Sequence, residues 1–283
     1  MLSKNQAALD DFLGLSSSPV HHLLNNGDNP SDFYAISEAL STQPSAPVLY
    51  FVDAIAEAVE ATQGKGLKAT ATGKLPQKLC QSVFLEYRKP WLGTMIYNFA
   101  KVHKEDDFLG LQVARLLMQI TGLLRKTKGQ FHLTQKYKKL SAKDGNKRLF
   151  SVLFKAYCFE FNWAYCDRYS DMPFVQQSSL FSLYMLSAMG HVKQAESVYE
   201  DTFLQAFPMA SHEVEFENQY ISADKETGHC YTLRVTHRFC WFMGLVSVEL
   251  PEGQNGLRSD KLIKKLPLFD ELMTFRIAPP PTQ

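Results

Sequence analysis

Apolar residues recur at three- and four-residue spacing in two stretches of the first half of the chain, and this spacing predicts amphipathic helices. The first helix is expected between residues 46 and 64, where the apolar face is formed by Val48, Phe51, Val52, Ile55, Ala56 and Val59. The second is expected between 106 and 122, with Phe108, Leu111, Leu116, Leu117 and Ile120 on one face. Between them, residues 67–72 suit a short strand, and Pro76 suits the first turn of another helix.

Residues 123–134 carry the clearest local signal in the chain. Two short runs that suit strands flank Lys128-Gly129, a dipeptide suited to a turn, and a helix is expected to restart at Gln135. The predicted order over residues 46–141 is therefore helix, strand, helix, helix, hairpin, helix.

This order, and the residues that carry it, resemble a winged helix-turn-helix domain at about residues 46–141. The resemblance lies in Gly122-Leu123-Leu124, the basic turn, Phe131-His132-Leu133-Thr134 and the restart at Lys139-Leu140. The phrase from Leu67 to Pro76 also resembles an uncharacterised family of bacterial proteins, some of them plasmid-associated. That second resemblance bears on the fold and carries no activity.

The remainder of the chain, residues 142–283, is predicted to be a helical lobe. An aromatic stripe at helical spacing from Phe150 to Tyr165 indicates a buried core helix, and a helical hairpin is expected over 178–207. Residues 245–262 repeat the order strand, loop, strand, so we expect a second, degenerate wing-like hairpin there.

Residues 1–45 are predicted to form an acidic, helical segment, in which Ser31 would begin a short helix through about Leu40. The predicted fold class is therefore α+β and mostly helical, with winged-helix units and a helical second lobe.

The net charge of +1 argues on its own against a partner that is a polyanion, but the charges are unevenly distributed. Residues 1–60 carry eight acids and one base, and residues 149–283 carry 16 acids and 11 bases. Residues 61–148 carry 18 bases and five acids. A basic block between two acidic blocks can bind a polyanion or can pair with the protein's own acids.

The densest positive run coincides with the predicted wing. We expect six side chains there to contact nucleic-acid phosphates, and we call them the cationic set: Arg125, Lys126, Lys128, Lys136, Lys138 and Lys139. Such contacts neutralise charge without reading sequence. The alternative to phosphate binding is that these side chains form a solvated, lysine-rich surface.

The helix before the wing is the candidate recognition helix. Its long polar residues, Gln112, Arg115 and Gln119, share one face by spacing and are the possible base readers. The helix nevertheless begins at Glu105-Asp106-Asp107, which would repel phosphates. This acidic, otherwise apolar helix also fits a winged helix that docks proteins.

The candidate chemistry for a cofactor, a metal ion or catalysis is weak. His229, Cys230, His237 and Cys240 match no standard zinc spacing. No nucleophile elbow or phosphate-binding loop occurs. We therefore predict no cofactor, no metal and no enzymatic activity.

The five cysteines are scattered and form no CxxC pair, the N-terminus has no signal-peptide pattern, and no long apolar run is present. These features predict a cytoplasmic protein that does not bind membranes.

The sequence favours a protein that binds nucleic acid, with double-stranded DNA as the expected partner. Two alternatives stay open: a winged-helix scaffold that binds proteins, and an enzyme on an uncommon fold. A homodimer is expected if the unit binds two half-sites.

Overall fold

The computed structural model describes residues 7–25, 27–88, 101–165, 167–215, 220–252 and 259–277. Its α-helices are α1 (Ser17–Asn25), α2 (Pro47–Glu60), α3 (Gln77–Arg88), α4 (Leu109–Ile120), α5 (Gln135–Asp144), α6 (Lys147–Lys155), α7 (Pro173–Gln177), α8 (Ser179–Met189), α9 (Glu196–Ala206), α10 (Ala223–Tyr231) and α11 (Pro267–Leu272). Its strands are β1 (Tyr34–Ile36), β2 (Leu67–Lys68), β3 (Leu124–Thr127), β4 (Gln130–Leu133), β5 (Gln194–Ala195), β6 (Val246–Glu249), β7 (Leu262–Lys265) and β8 (Met273–Phe275). The predicted α+β, mostly helical class is confirmed.

The chain divides into two compact units. The central unit is Glu38–Ala156, and the split unit combines Met1–Ser37 with Tyr157–Gln283. Across the residues that the structure describes, no helix combines the length and the apolar character needed to cross a bilayer.

The core of the central unit lies between α2, α4 and a three-stranded sheet. The buried residues of α2 include the whole apolar face predicted from spacing, and Pro47 occupies its first turn. The rings of Phe51 on α2 and Phe108, which precedes α4, meet edge-on at 5.2 Å. Burying each such side chain contributes about 1.5–3 kcal/mol relative to leaving it exposed.

The sheet of the central unit is antiparallel, with strand order β2-β4-β3. Leu67 of β2 lies opposite Phe131 of β4, and Leu124 of β3 lies opposite Leu133. The strand predicted for 67–72 is shorter than expected. The chain turns instead at Thr70, whose hydroxyl and backbone amide both bond to the backbone of Lys74.

The split unit is built around α8, which is buried along most of its length. The ring of Phe203 on α9 stacks on that of Tyr231 on α10 at 4.4 Å. A π-helical segment, Thr232–Cys240, continues α10. Strands β5, β7 and β6 then form a second antiparallel sheet in that order, with Val248 opposite Ile263.

The N-terminal and C-terminal parts of the split unit are joined by a two-stranded sheet. Tyr34 of β1 lies opposite Phe275 of β8, and Ile36 lies opposite Met273. The helix expected from Ser31 to about Leu40 is therefore wrong, because Tyr34–Ile36, in the middle of that range, pair with a strand more than 200 residues away. Such a distant partner leaves no local periodicity to detect.

Candidate nucleic-acid interface

The hairpin of the central unit ends in a tight two-residue turn, Lys128-Gly129. Thr127 pairs with Gln130, and both turn residues have positive φ, at 50° and 73°. Positive φ at both central positions is the signature of a type I′ turn, whose twist matches that of paired antiparallel strands. Glycine adopts this conformation freely, whereas a lysine adopts it at a cost in free energy. The turn therefore holds a cationic side chain at the tip despite this strain.

Three members of the cationic set are exposed on this hairpin: Arg125, Lys126 and Lys128. Because neighbours along a strand point to opposite faces, Arg125 and Lys126 leave the sheet on opposite sides. Lys126 extends to Gly73, in the loop that follows β2. The hairpin thus carries positive charge on both faces and at its tip.

The other three members lie on α5, which begins directly after the hairpin. The Thr134 hydroxyl caps α5 by accepting from the Tyr137 amide at 3.3 Å, and it donates to the Gly122 carbonyl at 2.8 Å. Lys136 donates to the Thr121 carbonyl, just after the end of α4, at 2.8 Å. Lys138 and Lys139 are exposed. The cap and Lys136 therefore fix α5 against the end of α4.

Carboxylates do not neutralise the cationic set. Within the described part of the chain, no ion pair involves any of its six members. The nearby acids of α2 face a buried tyrosine instead: burial, with added repulsion from Asp53, Glu60 and Glu57, raises the pKa of Tyr137 to about 12. The positive side chains are left to solvent or to a partner.

The structure places the predicted base readers differently. Gln112 is 2% exposed and donates to the Asp106 carboxylate at 3.2 Å. Arg115 is 7% exposed, and its Nε donates to Glu105 at 2.5 Å. Its terminal nitrogen donates to half-buried Gln119. Buried and paired in this way, Gln112 and Arg115 offer no exposed group to a base edge, which argues against the expectation that they read bases.

The acids that precede α4 are structural. Glu105 is fully buried, and it accepts from the Leu75 amide at 2.6 Å as well as from Arg115. Asp107 accepts from the two backbone amides that precede Glu105, at 2.9 and 3.0 Å. Asp106 pairs with Lys74. The signal in the sequence was Arg115, the single charged residue of α4, which follows a run of three acids and favours a buried ion pair with one of them.

The hairpin of the split unit, β6–β7, carries or contacts lysines of its own, but carboxylates pair with them. The pairs are Lys193 with Glu249 at 2.6 Å, Lys261 with Glu196 at 3.5 Å and Lys265 with Asp270 at 2.6 Å. In the described part of this hairpin and its surroundings, three lysines thus have carboxylate partners, whereas Lys264 on β7 is exposed.

The histidines and cysteines weighed as metal ligands have other surroundings. Cys230 and Cys240 are buried, and burial raises the pKa of both thiols. His237 bonds to Glu196 at 2.5 Å, and His229 is exposed. Among the described residues, no group of three or more His, Cys, Asp or Glu side chains is placed to hold a metal ion.

The split unit also contains a cleft of about 520 Å³ beside Cys158, Trp163 and Arg234. Arg234 is fully engaged there: it pairs with Asp167 at 2.6 Å and donates to the carbonyls of Ser170, Asp171 and Met172. Burial raises the pKa of the Cys158 thiol to about 12, so it is protonated and weakly nucleophilic at neutral pH.

Residues 45–146 match a family model described as the Y4jL N-terminal domain, so this part of the chain is similar to that domain. The match spans the central sheet and the whole cationic set and covers less than half of the chain. No curated protein and no solved structure matches the chain.

Proposed function

We propose that residues 46–141 form a winged-helix unit that binds nucleic acid through the cationic set. The order of α2, β2, α3, α4 and the β3–β4 hairpin supports this proposal. So does the strand order β2-β4-β3, in which the first strand of the unit pairs with the last. In this arrangement the hairpin is the wing and α4 occupies the position of the recognition helix.

The observation that carries the proposal is that the side chains of the cationic set are exposed and yet have few partners within the protein. Five of its members reach solvent without a hydrogen bond to another described residue, and the sixth is Lys136. A protein surface with unneutralised cations on a hairpin and on the adjoining helix fits a phosphate backbone, because each contact releases condensed counterions. Double-stranded DNA is the partner we favour.

The direct test is binding to a fluorescent duplex of random sequence at about 50 mM salt, where phosphate contacts are strong. The variant Arg125→Ser/Lys126→Ser/Lys128→Asn removes three exposed charges from the wing. The matched control is Lys264→Ser, which removes an exposed lysine from β7 of the split unit. We expect the triple variant to lose at least about tenfold in affinity and the control to bind as the wild type does. No binding by the wild-type protein would overturn the proposal.

A second candidate function is a winged-helix scaffold that binds proteins, and the outer face of α4 favours it. Ile120 is 40% exposed, and Leu109 and Leu116 on the same face are half-buried. An exposed apolar strip suits a protein partner better than a phosphate backbone. If the protein does not bind DNA at low salt, protein binding becomes the favoured function. The homodimer expected for half-site binding stays a prediction.

A further inference from the structure

We infer that the central unit binds duplex DNA along its phosphates while α4 stays outside the major groove, so that binding is indifferent to base sequence. This inference rests on the proposed function and deepens it, because it states what kind of DNA is recognised. Three features of α4 and its surroundings support this inference.

The first feature is the polarity of the face that α4 presents. A recognition helix contacts base edges with side chains near its N-terminus, and those side chains must offer exposed donors or acceptors. In α4, which is described throughout, the first four residues are Leu109, Gly110, Leu111 and Gln112. Leu109 is the least buried of them, and Gln112 is buried. The start of α4 therefore has no polar group with which to read a base.

The second feature is that the polar side chains of α4 are committed to bonds inside the unit. Gln112 donates to Asp106, and Arg115 donates both to Glu105 and to Gln119. Freeing Arg115 for a guanine would strand a fully buried carboxylate. The helix is thus stabilised in a state in which it does not read bases.

The third feature is the charge at the two ends of α4. Asp106 and Asp107 lie just before the helix begins, and Asp106 pairs there with Lys74 and Lys104. At the other end of α4, Lys136 donates to the Thr121 carbonyl, and the exposed Lys138 and Lys139 follow it on α5. Placing the lysines of α5 on phosphates therefore favours an orientation in which the C-terminal end of α4, and not its acidic N-terminus, lies nearer the duplex.

The test compares two duplexes of identical sequence, one of them carrying a glucosylated hydroxymethyl group on every cytosine. This neutral, bulky group fills the major groove and leaves the phosphates unchanged. We expect the two affinities to agree within about threefold, and we expect the same for duplexes of three unrelated sequences. Major-groove reading would cost at least about tenfold, roughly the value of one lost bidentate contact.

A variant of the hairpin tip tests whether binding to both duplexes depends on the same phosphate contacts. Lys128→Asn should weaken binding to the plain and to the glucosylated duplex by the same factor, because it acts at the phosphates. A loss of tenfold or more on glucosylation, or a similar preference among the three sequences, would overturn the inference and leave the proposed function intact. A wild-type protein that binds none of the duplexes would overturn the proposed function itself.

Discussion

The two units contain hairpin sheets of the same strand order, but the cations of the two hairpins differ in how many have carboxylate partners. In each, a short strand pairs with the last strand of a hairpin, giving β2-β4-β3 in the central unit and β5-β7-β6 in the split unit. Helices α9 and α10 precede the second hairpin, as α3 and α4 precede the first. Carboxylates pair with three lysines on or beside the second hairpin, whereas the cations of the first have no such partners among the described residues. Similar backbone arrangements can therefore support different surfaces.

A buried arginine in the helix before the hairpin is a further feature that the units share. Arg115 on α4 pairs with Glu105, and Arg234 on the π-helical segment pairs with Asp167. All four side chains are at least nine-tenths buried. In both units this helix is therefore anchored inward by an ion pair, so its polar residues contribute to stability more than to a surface.

The largest expected effect comes from breaking these two ion pairs. Arg234→Met strands Asp167 and three backbone carbonyls, and Arg115→Met strands Glu105. Removing one partner of a buried pair costs about 3–5 kcal/mol. We expect the loss of stability caused by Arg234→Met to lie at the upper end of this range, since more acceptor groups lose their hydrogen-bond donor. Urea unfolding followed by circular dichroism measures both losses, with exposed Arg125→Met as the control. A loss of stability below about 1 kcal/mol for either variant would show that the ion pair does not anchor the helix in that unit, and the two units would then differ.

The glycine that precedes the first strand of each sheet gives the next effect. Gly66 has a φ of 84°, and a Cβ there would collide with the ring of His132 on β4. A Cβ on Gly190 would lie 2.5 Å from the Leu186 carbonyl oxygen and 3.0 Å from the Lys265 Cβ on β7. We expect Gly66→Ala and Gly190→Ala each to destabilise the protein by about 1–3 kcal/mol in thermal unfolding.

A control separates the clash from the backbone strain. Gly64 has a φ of 88° with open space around it, so Gly64→Ala introduces the strain alone. Gly66→Ala should therefore be the more destabilising change, and adding His132→Ala should reduce its effect to that of Gly64→Ala. If Gly64→Ala and Gly66→Ala lower the stability equally in the presence of His132, the clash with the His132 ring on β4 contributes nothing to the loss.

A smaller effect is expected at the tip of the central hairpin, where stability and binding should move in opposite directions. Asparagine tolerates positive φ better than lysine does, so Lys128→Asn should stabilise the protein by about 0.5–1 kcal/mol. The same change should weaken DNA binding several-fold, because one phosphate contact is lost. Thermal unfolding and fluorescence anisotropy measure the two quantities. If affinity falls only together with stability, the lysine has a structural role and the proposed contact is wrong.

The smallest effect concerns one exposed ion pair in each unit. The hydrogen bond from Lys74 lowers the pKa of Asp106, and that from Lys193 lowers the pKa of Glu249. A carboxylate whose pKa is depressed by folding adds stability above its unfolded pKa, and that contribution is lost as the pH falls through the folded pKa. For such exposed pairs we expect less than about 1 kcal/mol. In NMR titrations, Lys74→Gln should raise the pKa of Asp106 and leave that of Glu249 unchanged. A shift in both would indicate a global change.

Local patterns in the sequence were sufficient for the elements of the central unit. The apolar spacing predicted α2, and the Lys128-Gly129 dipeptide predicted the turn. What the sequence could not supply was the set of long-range partners. Pairing of Arg234 with Asp167 joins residues that are far apart along the chain, and β1 pairs with β8 across nearly its whole length. Such contacts depend on tertiary packing, which leaves no signal at helical or strand spacing.

The candidate site was predictable in its charge and not in its geometry. The cationic set was evident from composition, and in the described part of the chain all six members are exposed without carboxylate partners, although Lys136 donates to the Thr121 carbonyl. The spacing that places Gln112 and Arg115 on a common helical face does not show whether that face is buried, and both side chains are buried. The acidic start of α4 suggested phosphate repulsion, whereas the structure uses Glu105 as the buried partner of Arg115.

The central claim is tested most directly by the salt dependence of DNA binding. The slope of log association constant against log salt is about −0.9 for each phosphate neutralised. Five unpaired cations predict a slope between about −3 and −5 for the wild-type protein. The slope for the Arg125→Ser/Lys126→Ser/Lys128→Asn variant should be shallower than that of the wild type by about 2–3. The Lys264→Ser variant in the split unit should leave the slope unchanged. Equal slopes for the wild type and the triple variant would contradict the account.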